Sequence, residues 1–131
     1  MMNLTITGFT AAALAILLAL LVLDTVRNRF RTRLPFGTGD DRRLNAASRA
    51  HGNLAENAPI TLILIGLLEI NGADRQTLAI VAVAFVAARL LHAIGLYMQT
   101  GGPPPAPRAI GVVVTLAVQL GLAGWLIARL L

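Results

Sequence analysis

The chain contains no cysteine, which excludes disulfides, thiol nucleophiles and cysteine metal ligands. Its two histidines are too few to build a structural zinc site, and no metal is expected. Neither a Gly-rich phosphate-binding loop nor a serine-based triad signature is present. Charge is also scarce: 13% of the 131 residues are charged, where a soluble domain carries about 25%. Lysine is absent, so all eleven basic residues are arginine, and the formal net charge is +5. A basic balance can mark nucleic-acid binding when it forms a surface patch. Here the arginines sit in connections and at helix ends, so no nucleic-acid partner is expected.

Hydrophobic residues make up 56% of the chain, and they fall into the segments Leu4–Val26, Leu44–Ile70, Gln76–Tyr97 and Ala109–Leu131. Each approaches or exceeds the roughly 20 residues a helix needs to cross the hydrocarbon layer. The expected fold is all-α: a single domain over residues 1–131, an integral membrane bundle of four transmembrane helices in contact with membrane lipids. Arginines follow the first apolar run instead of preceding it, the reverse of a signal peptide, so that run is expected to be retained. Arg27, Arg29, Arg31, Arg33, Arg42 and Arg43 fall between the first and second segments. The bias of arginine towards the inner side places this connection and the third one in the cytoplasm, with both termini opposite.

Pro35, Gly37 and Gly39 punctuate the first connection, read as Arg27–Asp41, and Asp40 or Asp41 is placed to cap the next helix. The second segment then opens on polar residues. Arg42, Asn45, Arg49, Asn53 and Glu56 are spaced to form one stripe along a helix. Pro59 lies inside it and is expected to bend it or loosen its ladder, and Asn71-Gly72 ends it with a tight turn. Arg89 and His92 share a face of the third helix, with Tyr97 just beyond. Met98–Pro107 reads as a non-helical connection. Arg108 opens the fourth helix, where Arg108, Gly111, Thr115 and Gln119 form a small and polar stripe suited to helix packing in a membrane.

Ionisable groups inside a bilayer cost about 2.5–3.5 kcal/mol each at its centre on insertion scales, and persist when they pair, line a wet cavity or bind a ligand. Two readings of the stripe remain open. One is an internal ion pair between Arg49 and Glu56. The other is a site for a small polar anion carrying carboxylates and an amine, with guanidinium groups holding the carboxylates and Glu56 receiving the ammonium group. His51 lies on another face of the same helix and reads as a packing group. A transporter would need a coupling residue deep in a helix, and the first helix offers none before Asp24.

The run Arg49-Ala50-His51-Gly52-Asn53-Leu54-Ala55-Glu56-Asn57-Ala58-Pro59 resembles the MAPEG superfamily, the membrane-associated proteins in eicosanoid and glutathione metabolism. Its pattern there is Arg-x-(His/Gln)-x-Asn-x-x-Glu followed shortly by Pro. Leu67–Gly72 looks like the bacterial branch, and Arg89-Leu90-Leu91-His92 and Arg108 also fit. The resemblance implies a homotrimer in a bacterial inner membrane, with glutathione held between subunits near the cytoplasmic face. It implies glutathione contacts at Arg49, Asn53, Glu56, Arg89, His92 and Tyr97, and a catalytic role on the thiol for Arg108. The activity implied is a glutathione-dependent transferase or peroxidase acting on lipophilic electrophiles; the alternative is a glutathione-binding or structural protein of the same fold without catalysis. Asn57 stands where many members have tyrosine, Leu54 replaces an aromatic residue, and Leu96 precedes Tyr97 where some members place a tyrosine.

Overall fold

Runs of alanine, leucine, isoleucine and valine, separated by Gly-, Pro- and Asp-containing turns, form the helices of the computed structural model, which describes residues 4–131. These are α1 (Thr5–Thr32), α2 (Arg42–Ile70), α3 (Arg75–Tyr97) and α4 (Ala106–Leu130), and no strand occurs among the described residues. All four are long and apolar enough to cross a membrane. The chain is an all-α membrane bundle.

Two boundaries differ from the sequence expectation for physical reasons. The first helix does not stop at Val26 but runs on to Thr32, carrying Arg27, Arg29 and Arg31 on its last turns. Hydropathy marks where the hydrocarbon ends, not where the helix ends, and arginine is a good helix former. The fourth helix starts at Ala106, so Pro107 lies in its first turn and not in the connection. A proline is tolerated there because its missing N–H would have no intrahelical partner. Pro59 leaves α2 assigned as one continuous helix from Arg42 to Ile70.

Asp41 caps α2 as expected, accepting from the Leu44 N–H at 2.7 Å, and Gly72 turns the chain at φ 67°. Leu4, at the N-cap position of α1, supplies no side-chain cap. Glu69 on α2 supplies one instead, accepting from the backbone N–H groups of Ile6 (2.9 Å) and Thr7 (2.8 Å) and from the Thr7 hydroxyl (2.7 Å). A carboxylate at a helix N-terminus also complements the helix dipole.

Helices consecutive in the chain run antiparallel. Helices α2 and α3 form the middle, α1 and α4 flank them on opposite sides, and α1 and α4 do not pack on each other among the described residues. Leu44, Ile65, Leu68, Leu78, Phe85 and Leu122 are fully buried between them. The small and polar stripe on α4 packs inward: Gly111 and Thr115 are buried, and Gln119 donates to Asn57 and Thr61 on α2, both at 3.2 Å. Gly95 and Gly111 permit close approach of α3 and α4. A Cβ on Gly111 would stand 2.7 Å from the Ala88 carbonyl oxygen. This packing brings the 33–41 and 98–105 connections to one end of the bundle and leaves Glu69, Asn71 and Arg129 at the other, where Arg129 donates to the Asn71 carbonyl at 2.7 Å.

Candidate functional site

The arginine-rich end of the bundle carries an open cleft of about 380 Å³, within the range of small-molecule sites. The first turns of α2 supply Arg42, Asn45, Ala46 and Arg49; the end of α3 and its connection supply Leu96, Gln99, Thr100 and Gly101; and α4 supplies Arg108. Helical spacing places the α2 residues on one face. No acidic side chain lines the cleft, so its three guanidinium groups meet there without a carboxylate. Such a surface accepts anions, and each guanidinium can grip a carboxylate through two parallel hydrogen bonds.

Arg108 sits in the first turn of α4, where the helix dipole adds positive potential. Its Nη1 donates to Gln99 Oε1 at 3.1 Å, and its backbone lies directly against Gly95. Arg42 donates to the Thr100 carbonyl at 3.2 Å, bridging the start of α2 to the α3–α4 connection. The wall between the two arginines is therefore tied on both sides.

Beneath the cleft, Arg89 is 3% exposed. One of its terminal nitrogens donates to Asn53 Oδ1 and the other to the Gly111 carbonyl at 2.9 Å, joining α2, α3 and α4. Its guanidinium also stands 5.9 Å from the centre of the Phe85 ring, within cation–π range. The Arg89 Nε has no hydrogen-bond partner, and no carboxylate pairs with this buried cation among the described residues. His92 is buried one turn further on, its Nδ1 3.4 Å from the Arg108 carbonyl oxygen.

The residues singled out in the sequence thus fall into separate groups. Arg49 and Arg108 meet in the cleft, while half-buried Asn53 and buried Arg89 and His92 form the layer that supports it. Tyr97 points to the α1 side, where its hydroxyl donates to Asp24 at 2.6 Å, and it lines an adjoining hollow with Arg42, Arg43 and Gln99. Glu56 is exposed, and its side chain makes no hydrogen bond or ion pair among the described residues. The Arg49–Glu56 ion pair is not formed; the one ion pair among the described residues joins Arg31 to Asp41 at 2.7 Å. No cluster of metal ligands occurs among them either. Arg42 and Asn45 enter the sequence reading only as members of the stripe, and Gln99 does not enter it. The stripe itself pointed to Asn45, but Gln99 reaches the cleft through the course of a Gly- and Pro-rich connection that carries no periodic signal.

At the rim, the carboxyl of Asp41 is held below its ordinary pKa, chiefly by the hydrogen bond from Arg31 and then by the Leu44 N–H. That of Asp74, at the opposite end, is lowered by the Thr77 hydroxyl and backbone N–H.

A model of the MAPEG family matches residues 7–128 of this chain. The chain is also similar to inner membrane protein YecN of Escherichia coli strain K12, 36% identical over 91 residues that make up 66% of this chain and 70% of that protein. The protein of the same name from Escherichia coli O6:H1 strain CFT073 matches to the same extent.

Proposed function

We propose a function from the premise that this chain belongs to the MAPEG family: a glutathione-dependent membrane transferase or peroxidase that turns the glutathione thiol against lipophilic electrophiles. The observation that carries this reading is the convergence of Arg42, Arg49 and Arg108 in one cleft without an acidic residue. Glutathione presents two carboxylates and a thiol, and the donor set fits them. Arg42 and Arg49 would hold the carboxylates, and Asn45 and Gln99 offer further polar contacts. Arg108, at the positive end of α4, would lower the thiol pKa from its ordinary ~8.5. The thiolate supplies the nucleophile, and Leu96 gives the cleft an apolar flank towards a lipophilic partner.

The ammonium group of glutathione finds no acceptor in the cleft of one protomer. Glu56 lies about 21 Å along α2 from Arg42, near the middle of a membrane-spanning helix, exposed and unpaired. An ionised carboxylate facing lipid is costly. A homotrimer in which a neighbouring copy covers Glu56 would remove that cost and would bring an acid to an intersubunit site. The concentration of arginine at the cleft end supports a cytoplasmic position for it, and the similarity to YecN supports a bacterial inner membrane.

One observation favours the non-catalytic alternative: Arg108 is already engaged by Gln99 at 3.1 Å. The two readings separate on Arg108→Ala. For an enzyme, the purified protein shows thiolate ultraviolet absorbance on adding glutathione, and the variant binds glutathione but loses that signal. Binding without thiolate absorbance in the unaltered protein would favour the non-catalytic reading.

A further inference from the structure

A second concavity lies at the same end of the bundle, on the far side of α1. Arg33 follows the last residue of α1 in the left-handed conformation, φ 56°, and turns the chain back. Arg29 Nη1 then donates to the carbonyls of Leu34 (3.2 Å), Pro35 (3.1 Å) and Gly37 (3.1 Å). One guanidinium thereby pins the returning loop against the last turns of the helix. The space between them is a groove of about 410 Å³ lined by Val26, Arg29, Phe30, Arg33, Leu34 and Pro35.

This groove has an apolar wall and a cationic rim, and no lining residue is acidic. Phe30 on its wall is 81% exposed, and Phe36 in the adjoining loop is 87% exposed. Arg33 and Arg27, the latter one turn before Phe30, make no hydrogen bond or ion pair among the described residues. Two of the nearby acids are occupied, Asp41 by Arg31 at 2.7 Å and Asp24 by Tyr97 at 2.6 Å. The groove also begins at Val26, where the apolar run of α1 gives way to arginine. That is where hydrocarbon meets headgroups in a spanning helix, the level at which aromatic rings and arginines settle.

We propose that this groove is a binding site for an anionic phospholipid. Its phosphate is held by Arg33 on the rim, with Arg27, beside the lining on the turn before Phe30, adding its charge, and the upper part of an acyl chain lies against Val26 and Phe30. Charge complementarity selects the occupant. Guanidinium binds phosphate through paired, charge-assisted hydrogen bonds, whereas the quaternary amine of a zwitterionic lipid would be repelled by the same arginines. Each arginine near an anionic headgroup contributes about fivefold in affinity.

The test is native mass spectrometry of the full chain in detergent, with added phosphatidylglycerol or phosphatidylcholine. Selective retention of phosphatidylglycerol is expected. The double variant Arg27→Gln/Arg33→Asn should weaken it roughly 25-fold; asparagine is chosen because it tolerates positive φ. Phe30→Ala should also weaken it without a change of charge, and since Phe30 is exposed the fold is kept. Arg43→Gln, which removes one charge at the same end but outside the groove, should leave retention within about twofold of the unaltered protein, whereas Arg33→Asn alone, also one charge, should weaken it about fivefold. Equal retention of the two lipids would overturn the proposal. So would a loss in Arg43→Gln as large as in Arg33→Asn alone, which would mean diffuse charge attraction. A change of oligomeric mass in the double variant would overturn it too, by assigning the groove to a second copy of the chain.

Discussion

Replacing Gly95 by alanine drives a methyl group into the first turn of α4. A Cβ there would stand 2.6 Å from both the Cα and the Cβ of Arg108, and the obstacle is largely backbone, which cannot rotate away. Clearing these two atoms to 3.4 Å already requires the helices to part by about 0.8 Å at this level, and the Arg108 backbone nitrogen, which lies closer still, requires more. Overpacking of this kind costs about 1–3 kcal/mol, a five- to 150-fold shift in the folding equilibrium. It also displaces Arg108 from Arg49 across the cleft, so a loss of glutathione affinity should accompany the loss of stability. The control is Gly121→Ala on the same helix as Arg108, where a Cβ meets nothing within 4 Å. Thermal unfolding in detergent, followed by circular dichroism, and calorimetric titration with glutathione would be measured on both variants. If Gly95→Ala melts and binds like Gly121→Ala, the close α3–α4 contact is not what positions Arg108, and the reasoning fails.

Arg89→Ala leaves Asn53 Oδ1 with only the long 3.5 Å bond from Asn57 Nδ2 and opens a space under the cleft, at a cost of about 1–3 kcal/mol from the lost hydrogen bonds alone. Arg49→Ala, on an exposed position, should leave the melting temperature unchanged and weaken glutathione, so thermal unfolding and titration together separate support from contact. Asp41 has a folded-state pKa below its unfolded value. Its contribution is therefore fully present above about pH 4 and is lost as the pH falls through the folded value. The stability difference between the unaltered protein and Asp41→Asn should shrink on acidification below about pH 4, and thermal unfolding across that range checks it.

Much of the membrane architecture was legible because hydrophobic length is a local property. The segment ending at Ile70 and the segment ending at Tyr97 stop where apolar sequence, tight turn and cap coincide. The ends that shifted, at Thr32 and Ala106, are those where hydropathy and helix propensity part company. The α2 stripe was legible too, since spacing alone puts Arg42, Asn45 and Arg49 on one face. The partners across helices were not. Glu69 was not expected to cap α1 from α2, nor Tyr97 to reach Asp24, because such pairings depend on how the helices are placed and not on any spacing within one of them. Glu56 shows the same limit from the other side. Spacing joined it to the stripe, yet the fold leaves it outside the cleft.

The central claim is that the arginine cleft binds glutathione, and calorimetric titration of the purified full chain beside Arg42→Gln and Arg49→Gln addresses it most directly. A saturable heat is expected for the unaltered protein, and an affinity about tenfold or more lower in each variant, from the loss of a charge-assisted hydrogen-bond pair. No heat with glutathione, or the same affinity in all three proteins, would contradict it.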